Sequence, residues 1–467
     1  MIVLAIISFH NGEKMQRLVG ILLAFVLLAA PARAADAPLV INGTIVTPGR
    51  VIPNGWLTIH DGKIAAIADT QPAVPGARVL VTRDIVFPGF VDLHNHPLYG
   101  IFPRWHPPKV YPNRYEWRGD ADYWRAIQTP EGKLVASRFC DMDVYVEMKA
   151  LMGGTTSLLG IYRPADTATV PACVAGLVRN LDWASGFHGP GLGQERVGNI
   201  LGVRPNDLKL SEETLAQIKN GPIDLIAVHL GEGQRNDPDS RAEFARLKEL
   251  KLLTPNTAVI HGVALSEADF GEIKAAGASF VWSPRSNFEL YGETADLAAA
   301  MRRKVTVALA PDWSPTGSTN MLAEIGYAKG VIDRQFKGLI SPQQLFEMAT
   351  SIPARIAHID DKVGSLKPGL AADVFLLRGD GSKPFDALAA AKPQDVTLTI
   401  IDGVPVFGTP DQMSAAGAAA LETVNLCGQD RAINGRSIVD GFADITARLT
   451  GALRTEGLTL AGLAECD

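Results

Sequence analysis

The chain has 467 residues, of which 47% are hydrophobic and 20% are charged, and this balance excludes a largely disordered protein. The formal net charge of −6 excludes a chain that is drawn as a whole to nucleic acid or to an anionic membrane surface. The length itself fits either several domains or one large barrel with additions.

Residues 1–34 have the pattern of a secretory signal peptide. An apolar run, Leu18–Ala30, follows a lysine and an arginine and precedes a small-x-small site that ends at Ala34. The run is shorter than the roughly 20 residues that a membrane-spanning helix needs. We therefore expect cleavage after Ala34 and a periplasmic or secreted protein with no membrane contact once the leader is removed; Met15 is an alternative start. A leader that stays attached as a membrane anchor is the other interpretation.

The rest of the chain falls into regions of different pattern. Residues 35–85 and 360–408 are short strands separated by Asn-Gly, Asp-Gly and other turn signals, and we expect them to form one small β-sandwich domain from both chain ends. Residues 86–359 alternate short apolar runs with helical stretches. Residues 409–467 are rich in alanine, and this composition predicts a helical extension.

Residues 86–359 predict an α/β fold. Continuous apolar runs are typical of parallel strands that are buried on both faces, and the length and alternation suit a (β/α)8 barrel of the TIM type. A doubly wound open sheet is the alternative. Such a sheet usually has a glycine-rich phosphate turn after its first strand, whereas the first strand here ends in histidines.

The four cysteines, Cys140, Cys173, Cys427 and Cys466, allow three pairings. Cys427 and Cys466 both lie in the C-terminal segment, so this pair is favoured. Because a chain of this size does not need disulfides in order to fold, free buried thiols are the alternative.

The strongest chemical signal is the sequence DLHNH, Asp92–His96, directly after the first apolar run. Residues two apart on a strand face the same side, so His94 and His96 point together. They lie at the C-terminal end of the first predicted strand, where the active sites of barrels are found. Two imidazoles in this arrangement suit a divalent metal ion.

Three further predicted strands also end in polar groups. His229 ends one strand and is followed by Glu232, His261 ends the next, and Asp312 ends a later one. Any one of these residues alone is more often a core or rim residue than a ligand. Four such strand ends in one barrel-like region indicate a shared site.

These motifs resemble those of the amidohydrolase superfamily, metal-dependent hydrolases on a (β/α)8 barrel with a small β-sandwich. The matching sequences are PGFVDLHNH, GGTTS at Gly153–Ser157, HLGE, AVIHG, SPRSN at Ser283–Asn287 and Asp312, and the resemblance spans roughly residues 38–407. The HxxE spacing of His229–Glu232 is similar to that of the mononuclear branch, which includes triazine hydrolases and aromatic-ring deaminases.

The resemblance implies a role for each strand-end residue. The implied metal ligands are His94, His96, His229 and Asp312, the last as a ligand or in close contact with the ligands. Asp312 then takes the proton of the attacking water. His261 polarises the substrate, and Glu232 passes a proton to the substrate or to the leaving nitrogen.

The resemblance also implies one metal ion. Superfamily members with two metals commonly carry a carbamylated lysine after the fourth strand. The predicted fourth strand, VGNILGVRP, lacks one, and Lys209 and Lys219 lie in polar, helix-like sequence. Zinc is favoured for a histidine-rich site, although iron or manganese suits the same ligands.

Two features depart from the deaminases. Those enzymes are mostly cytosolic, and they commonly have small or polar residues where Trp313 and Pro315 stand here. Residues 99–124, the loop after the two histidines, are rich in aromatic residues, arginine and proline. We interpret this 99–124 loop as a lid over the metal, with Trp105 and His106 as candidate substrate contacts; a packed surface loop is the alternative.

The expected function is that of an exported hydrolase of non-peptide carbon–nitrogen bonds, in cyclic or linear amides or amidines, including deamination. Its expected partner is a small-molecule substrate, with no nucleic acid and no membrane, and a homo-oligomer is compatible with the sequence. The alternatives are an exported dipeptidase or amidase on the same site, and a non-catalytic metal- or solute-binding protein.

Overall fold

A computed structural model of the protein describes residues 37–160, 177–181, 197–200, 216, 223–434 and 440–466. The strands are β1 (Leu39–Thr47), β2 (Arg50–His60), β3 (Lys63–Ala68), β4 (Arg78–Pro88), β5 (Phe90–Asp92), β6 (Thr155–Leu158), β7 (Arg179–Asn180), β8 (Val197–Ile200), β9 (Leu225–Leu230), β10 (Thr257–His261), β11 (Ser279–Trp282), β12 (Thr306–Leu309), β13 (Val374–Leu377), β14 (Val396–Ile401), β15 (Val404–Gly408), β16 (Leu421–Leu426) and β17 (Gln429–Asn434).

The α-helices are α1 (Arg114–Arg118), α2 (Ala121–Tyr123), α3 (Thr129–Met152), α4 (Pro238–Glu249), α5 (Glu267–Ala275), α6 (Pro284–Tyr291), α7 (Leu297–Arg302), α8 (Met321–Gln335), α9 (Pro342–Glu347), α10 (Ser351–Ile356), α11 (Pro384–Ala390), α12 (Pro410–Ala415) and α13 (Phe442–Thr455). Short 3-10 helices span Pro97–Ile101 and Pro393–Asp395, and a π-helical turn spans Trp124–Gln128. None of the described helices is long and apolar enough to cross a membrane.

Both chain ends contribute to one nine-stranded mixed sheet. Its order is β16-β17-β15-β14-β13-β4-β1-β2-β3. Strands β1 and β4 pair in parallel, and the other neighbours pair antiparallel. The expectation that the two ends combine is therefore confirmed, as a single continuous sheet among the described strands. The domain boundaries that we assigned stay a prediction.

The C-terminal segment is not wholly helical, and the prediction is wrong for residues 421–434. Strands β16 and β17 form a hairpin that extends the sheet next to β15. The turn residues Cys427 and Gly428 both have positive φ, 52° and 78°, as the tight two-residue turns of hairpins require. The alanine-rich composition on either side of the hairpin led to the helical prediction.

Eight parallel strands carry the central part of the chain. Strands β5–β7 form a three-stranded sheet, and β8–β12 form a five-stranded sheet, each in sequence order. A parallel bridge between Asn95 and Asp312 joins the chain just after β5 to the chain just after β12. The α/β class is confirmed. Much of the chain between β7 and β8 lies outside the described residues, as do Lys209, Lys219 and Cys173.

The buried strands place the site. All side chains of β9 and β10 are buried, as predicted from their apolar runs. Because the strands are parallel, their carboxyl ends meet at one edge, and the polar residues that follow them converge there.

The favoured disulfide is confirmed. Cys427 and Cys466 are bonded, with a Cα–Cα distance of 5.3 Å. Cys140 is disulfide-bonded as well. The alternative of free thiols is therefore wrong for these three cysteines.

Candidate metal centre

The structure brings the six predicted site residues together at one edge of the parallel strands. His94 and His96 follow β5, His229 lies on β9, His261 ends β10 and Asp312 follows β12, with Glu232 just beyond β9. These residues are spread along the sequence between positions 94 and 312. Their convergence follows from the strand order rather than from proximity in the chain.

The ligand atoms of His94, His96, His229 and Asp312 lie close together around His94. Nε2 of His94 and Nε2 of His96 each lie 3.1 Å from Nε2 of His229. Oδ1 of Asp312 lies 3.2 Å from Nε2 of His94 and 3.5 Å from Nε2 of His96. The ligand atoms of His94, His96 and His229 lie close enough together to hold a metal ion, and so do those of His94, His261 and Asp312.

The protonation states fit a metal. Burial lowers the pKa of His94 to about 3 and that of His96 to about 4, and burial also lowers the pKa of His229 well below its ordinary value. The three rings are therefore neutral near pH 7 and keep a free lone pair. Burial raises the pKa of Asp312, and the neighbouring His261 and His96 oppose this rise.

The SPRSN motif supplies hydrogen bonds that orient the site. Ser283 Oγ lies 2.9 Å from Nδ1 of His94, and the side chain of Ser286 hydrogen-bonds Asp312. Oδ1 of Asn287 accepts from Nδ1 of His261 at 2.9 Å. Such contacts select the tautomer and orientation of each ring. With Nδ1 of His261 as donor, Nε2 of the neutral ring carries the lone pair.

The backbone at the site is locally strained. His261 and Asp312 both have a φ of 68°, in the left-handed region that such residues seldom adopt. At Gly160, which lines the cavity, φ is +130° and a Cβ would lie 2.0 Å from the carbonyl oxygen of Asn95. Only glycine fits beside the histidine segment there, and strain of this kind concentrates at functional sites.

Glu232 is held as a carboxylate. Burial alone would raise its pKa, but Arg114, His261 and Tyr291 together lower it to about 2. Nη1 of Arg114 lies 3.1 Å from Oε2 of Glu232, and the hydroxyl of Tyr291 donates to Oε1 at 2.7 Å. Nε2 of His261 lies 3.7 Å from the same carboxylate.

A cavity of about 450 Å³ opens onto these residues. Aromatic side chains form much of its wall: Tyr99, Trp117, Tyr123 and Trp313. Trp117 and Trp313 are stacked, with ring centroids 5.5 Å apart. Glu131, which is buried, and Gln128 add polar groups, and Nε2 of Gln128 donates to Oε2 of Glu131 at 3.1 Å.

The 99–124 loop lines the cavity through residues other than those predicted. Trp105 is buried behind the wall, with its ring 5.6 Å from Tyr123 and its Nε1 donating to Asp122. His106 is exposed, and neither residue is among those that line the cavity. The prediction that Trp105 and His106 contact the substrate is therefore corrected, because other residues of the loop form the cavity wall.

The model of the Amidohydrolase family matches residues 85–406. The chain belongs to this family. The amidohydrolase is thus a metal-dependent enzyme that acts on non-peptide carbon–nitrogen bonds, as the sequence predicted.

Relatives of this amidohydrolase include a 5-methylthioadenosine/S-adenosylhomocysteine deaminase of Symbiobacterium thermophilum. It is 26% identical over 429 residues, which cover 79% of this chain and 93% of the relative. A zinc-bound adenosine deaminase from Xanthomonas campestris has a TM-score of 0.63 at 18% identity, covering 90% of this chain and 99% of that one. Atrazine chlorohydrolase from Arthrobacter aurescens TC1, complexed with zinc, has a TM-score of 0.64 at 17% identity, covering 89% and 99%.

Sequence reasoning missed two residues of this amidohydrolase site. Arg114 lies at the start of α1, inside the 99–124 loop, where no periodic pattern marks a buried arginine. Tyr291 ends α6, eight residues after Ser283. The SPRSN motif was the available signal for Tyr291, because it places a helix directly beside the site.

Proposed function

We propose that this amidohydrolase is a zinc-dependent deaminase of amino-substituted planar rings, with aminopurine nucleosides as the first class to test. The observation that carries the proposal is the fixed Glu232 carboxylate beside the ligand cluster, in a cavity with aromatic walls. Ring deamination needs a group that moves a proton to a ring nitrogen, and aromatic walls suit a flat substrate. The names of the relatives support the same class.

We propose one zinc ion held by His94, His96, His229 and Asp312. The neutral imidazoles and the carboxylate are the ligands that zinc prefers, and both solved structures compared above contain zinc. When bound, such an ion lowers the pKa of a water so that hydroxide is available near neutral pH. We propose in addition that the eight parallel strands close into a (β/α)8 barrel around this site, which the bridge between Asn95 and Asp312 supports.

The residues of the chain then move two protons. Glu232 enters as a carboxylate, so it must receive a proton before it gives one. The attacking water supplies both protons, one to the ring nitrogen by way of Glu232 and one to the leaving amino group by way of Asp312. Nε2 of His261 lies 3.7 Å from Oε2 of Glu232. His261 polarises the substrate atom on which negative charge develops. Water and the amino-substituted ring thus become the oxo-substituted ring and ammonia.

A substrate panel tests the proposal. Zinc-loaded enzyme is incubated with aminopurine nucleosides, free aminopurines, aminated triazines, simple amides, lactams and proline dipeptides, and each reaction is assayed for ammonia and for ring opening or peptide cleavage. We expect ammonia from at least one aminated ring, and we expect Glu232→Gln to keep its zinc and lose turnover. Hydrolysis of amides, lactams or dipeptides without ammonia from any aminated ring would contradict the proposal.

We propose that the protein is exported to the periplasm or secreted. The pattern of residues 1–34 supports this, and so does the disulfide between Cys427 and Cys466, because disulfides persist in oxidising compartments. Fractionation of cells followed by N-terminal sequencing should give a mature chain that begins at Ala35 outside the cytoplasm. A full-length chain in the cytoplasmic fraction would refute export.

A further inference from the structure

The last described residues of the chain pack against the segment that follows His96. After α13, residues 456–466 form no helix or strand. The amide of Ala461 donates to the carbonyl of Ile101 at 2.9 Å, and the hydroxyl of Tyr145 donates to the carbonyl of Ala461 at 2.6 Å. Cys466 is then bonded to Cys427 in the β16–β17 turn. We call residues 456–466 the C-terminal strap; it lies against the segment that follows His96.

Glu465 of the strap completes a ring of four charges. Its Oε1 lies 3.0 Å from Nη1 of Arg104, and its Oε2 lies 2.9 Å from Nη1 of Arg285. Glu289 also contacts both arginines, so two carboxylates and two guanidinium groups alternate. The arginine side chains are only 23% and 16% exposed, so solvent screens this network less than an ordinary surface pair.

Each arginine of the ring is attached to a loop of the metal centre. Nη1 of Arg104 donates to the carbonyl oxygens of Ser314, at 3.3 Å, and Gly317, at 2.7 Å, in the loop that begins at Asp312. Arg285 lies in the SPRSN motif, between the residues that hydrogen-bond His94 and His261. Glu465 therefore links the loop of the proposed base to the helix that orients two histidines.

A buried lysine adds a third cation. Nζ of Lys149 donates to the carbonyl of Gly100 at 2.6 Å, just after the histidine segment. Burial lowers the pKa of Lys149 to about 8, and Glu465 opposes this shift by favouring the charged amine. Without Glu465, Arg104 and Arg285 would share the single carboxylate of Glu289, and Lys149 would lose the negative charge that favours its charged form.

We propose that Glu465 is a positioning residue for the catalytic loops, and that the Cys427–Cys466 disulfide keeps it in place. The strap has few backbone hydrogen bonds of its own, and chain ends without such ties fray. Cys466 is exposed, so a dithiol reductant can reach the bond. Reduction takes two electrons from the dithiol, gives two cysteine thiols and leaves the reductant oxidised. The loss of the bond frees the strap and lowers turnover, while the four proposed zinc ligands stay in place.

The test compares Glu465→Gln with Glu456→Gln. Glu456 lies in the same strap, but its ion pair is with the exposed Lys133 and not with an arginine of the ring. It is therefore the matched control. We expect Glu465→Gln to lower kcat about tenfold, the cost of a small misplacement of catalytic groups, with little change in KM or zinc content. Wild-type enzyme treated with a dithiol, and the Cys466→Ser variant, should show the same loss.

Hydrogen exchange provides a readout that does not depend on turnover. The amides of Ser314, Thr316, Gly317 and Ser318 should exchange faster in Glu465→Gln and after reduction than in wild type. Their exchange should be unchanged in Glu456→Gln. If the substrate panel finds no deamination, this readout still decides the strap proposal, so the two failures are distinguishable. Wild-type exchange in Glu465→Gln and in reduced enzyme, or equal effects in both glutamate variants, would overturn it.

Discussion

Arg114 determines the state of Glu232 by its charge. Its guanidinium is the largest of the influences that lower the pKa of that carboxyl, against a burial effect that would raise it. A carboxylate that must accept a proton first has to be ionised when substrate binds. In the proposed mechanism the buried pair therefore takes part in the chemistry as well as in the packing.

The Arg114→Met variant tests this at the level of one residue. Removal of the positive charge raises the pKa of Glu232, so a larger fraction of Glu232 is protonated at a given acidic pH. We expect the acid limb of the kcat/KM profile to move to higher pH. The exposed Arg125 gives the control, Arg125→Met, which should leave the profile unchanged; an unshifted acid limb in Arg114→Met would contradict the assignment.

Glu131 is the candidate for recognition of the substrate away from the ring. It is 4% exposed and lines the cavity, and an ionised carboxylate only accepts hydrogen bonds. Glu131→Gln should raise KM tenfold or more for a substrate with hydroxyl groups, such as a nucleoside. One hydrogen bond to a charged group is worth about 1.5–3 kcal/mol, which corresponds to about a 10- to 150-fold change in affinity. The KM for the free base should not change, and an equal rise for both would show that Glu131 acts only on packing.

Lys149 gives stability a pH dependence. Burial lowers its pKa from 10.5 to about 8 in the folded protein. The unfolded chain therefore binds one more proton between these values, and stability rises with pH across that window by about 3 kcal/mol. Below pH 8 Lys149 is charged in both the folded and the unfolded state, so the folded protein bears the full free-energy cost of burying that charge.

Denaturant unfolding of wild type and Lys149→Met between pH 7.5 and 10 measures this effect. The free energy of unfolding of wild type should rise relative to that of the variant as the pH increases. Other titrating groups are common to both proteins and cancel. Parallel curves for the two proteins would show that Lys149 titrates as it does in water.

At the scale of elements, the strand ends were predictable and the loops were not. The runs in β9 and β10 are apolar throughout, so the histidines that end them were recognisable as exceptions. The 99–124 loop has no periodicity, so its aromatic content was visible while the orientation of Trp105 and Trp117 was not. The hairpin β16–β17 was hidden because turn residues, not composition, determine it.

Substitution of Trp313 and substitution of Trp105 should affect substrate binding differently. Trp313 lines the cavity, whereas Trp105 is buried behind it. We expect Trp313→Ala to raise KM and also to lower stability, because Trp313 is 4% exposed, as buried as Trp105. We expect Trp105→Ala to cost about 3–5 kcal/mol of stability, as for other large buried aromatics. Kinetics separates the two variants: a raised KM in Trp105→Ala with an unchanged KM in Trp313→Ala would reverse the description of the wall.

At the scale of the whole molecule, two features join residues that are far apart in the sequence. Parallel strands bring together histidines from both halves of the chain, a consequence of α/β alternation that the sequence pattern already indicated. The ring around Glu465 joins the C-terminal strap to the SPRSN helix, and no local pattern predicts such a contact. Sequence periodicity specifies which face of an element is buried, but not which distant charge it meets.

Zinc titration of the metal-free enzyme, followed by ammonia release, tests the central claim most directly. We expect turnover to be absent without metal, to rise in proportion to added zinc and to stop rising at one ion per chain. His229→Ala should show no rise over the same range. Full turnover in the metal-free enzyme, or a rise that continues to two ions per chain, would contradict the account.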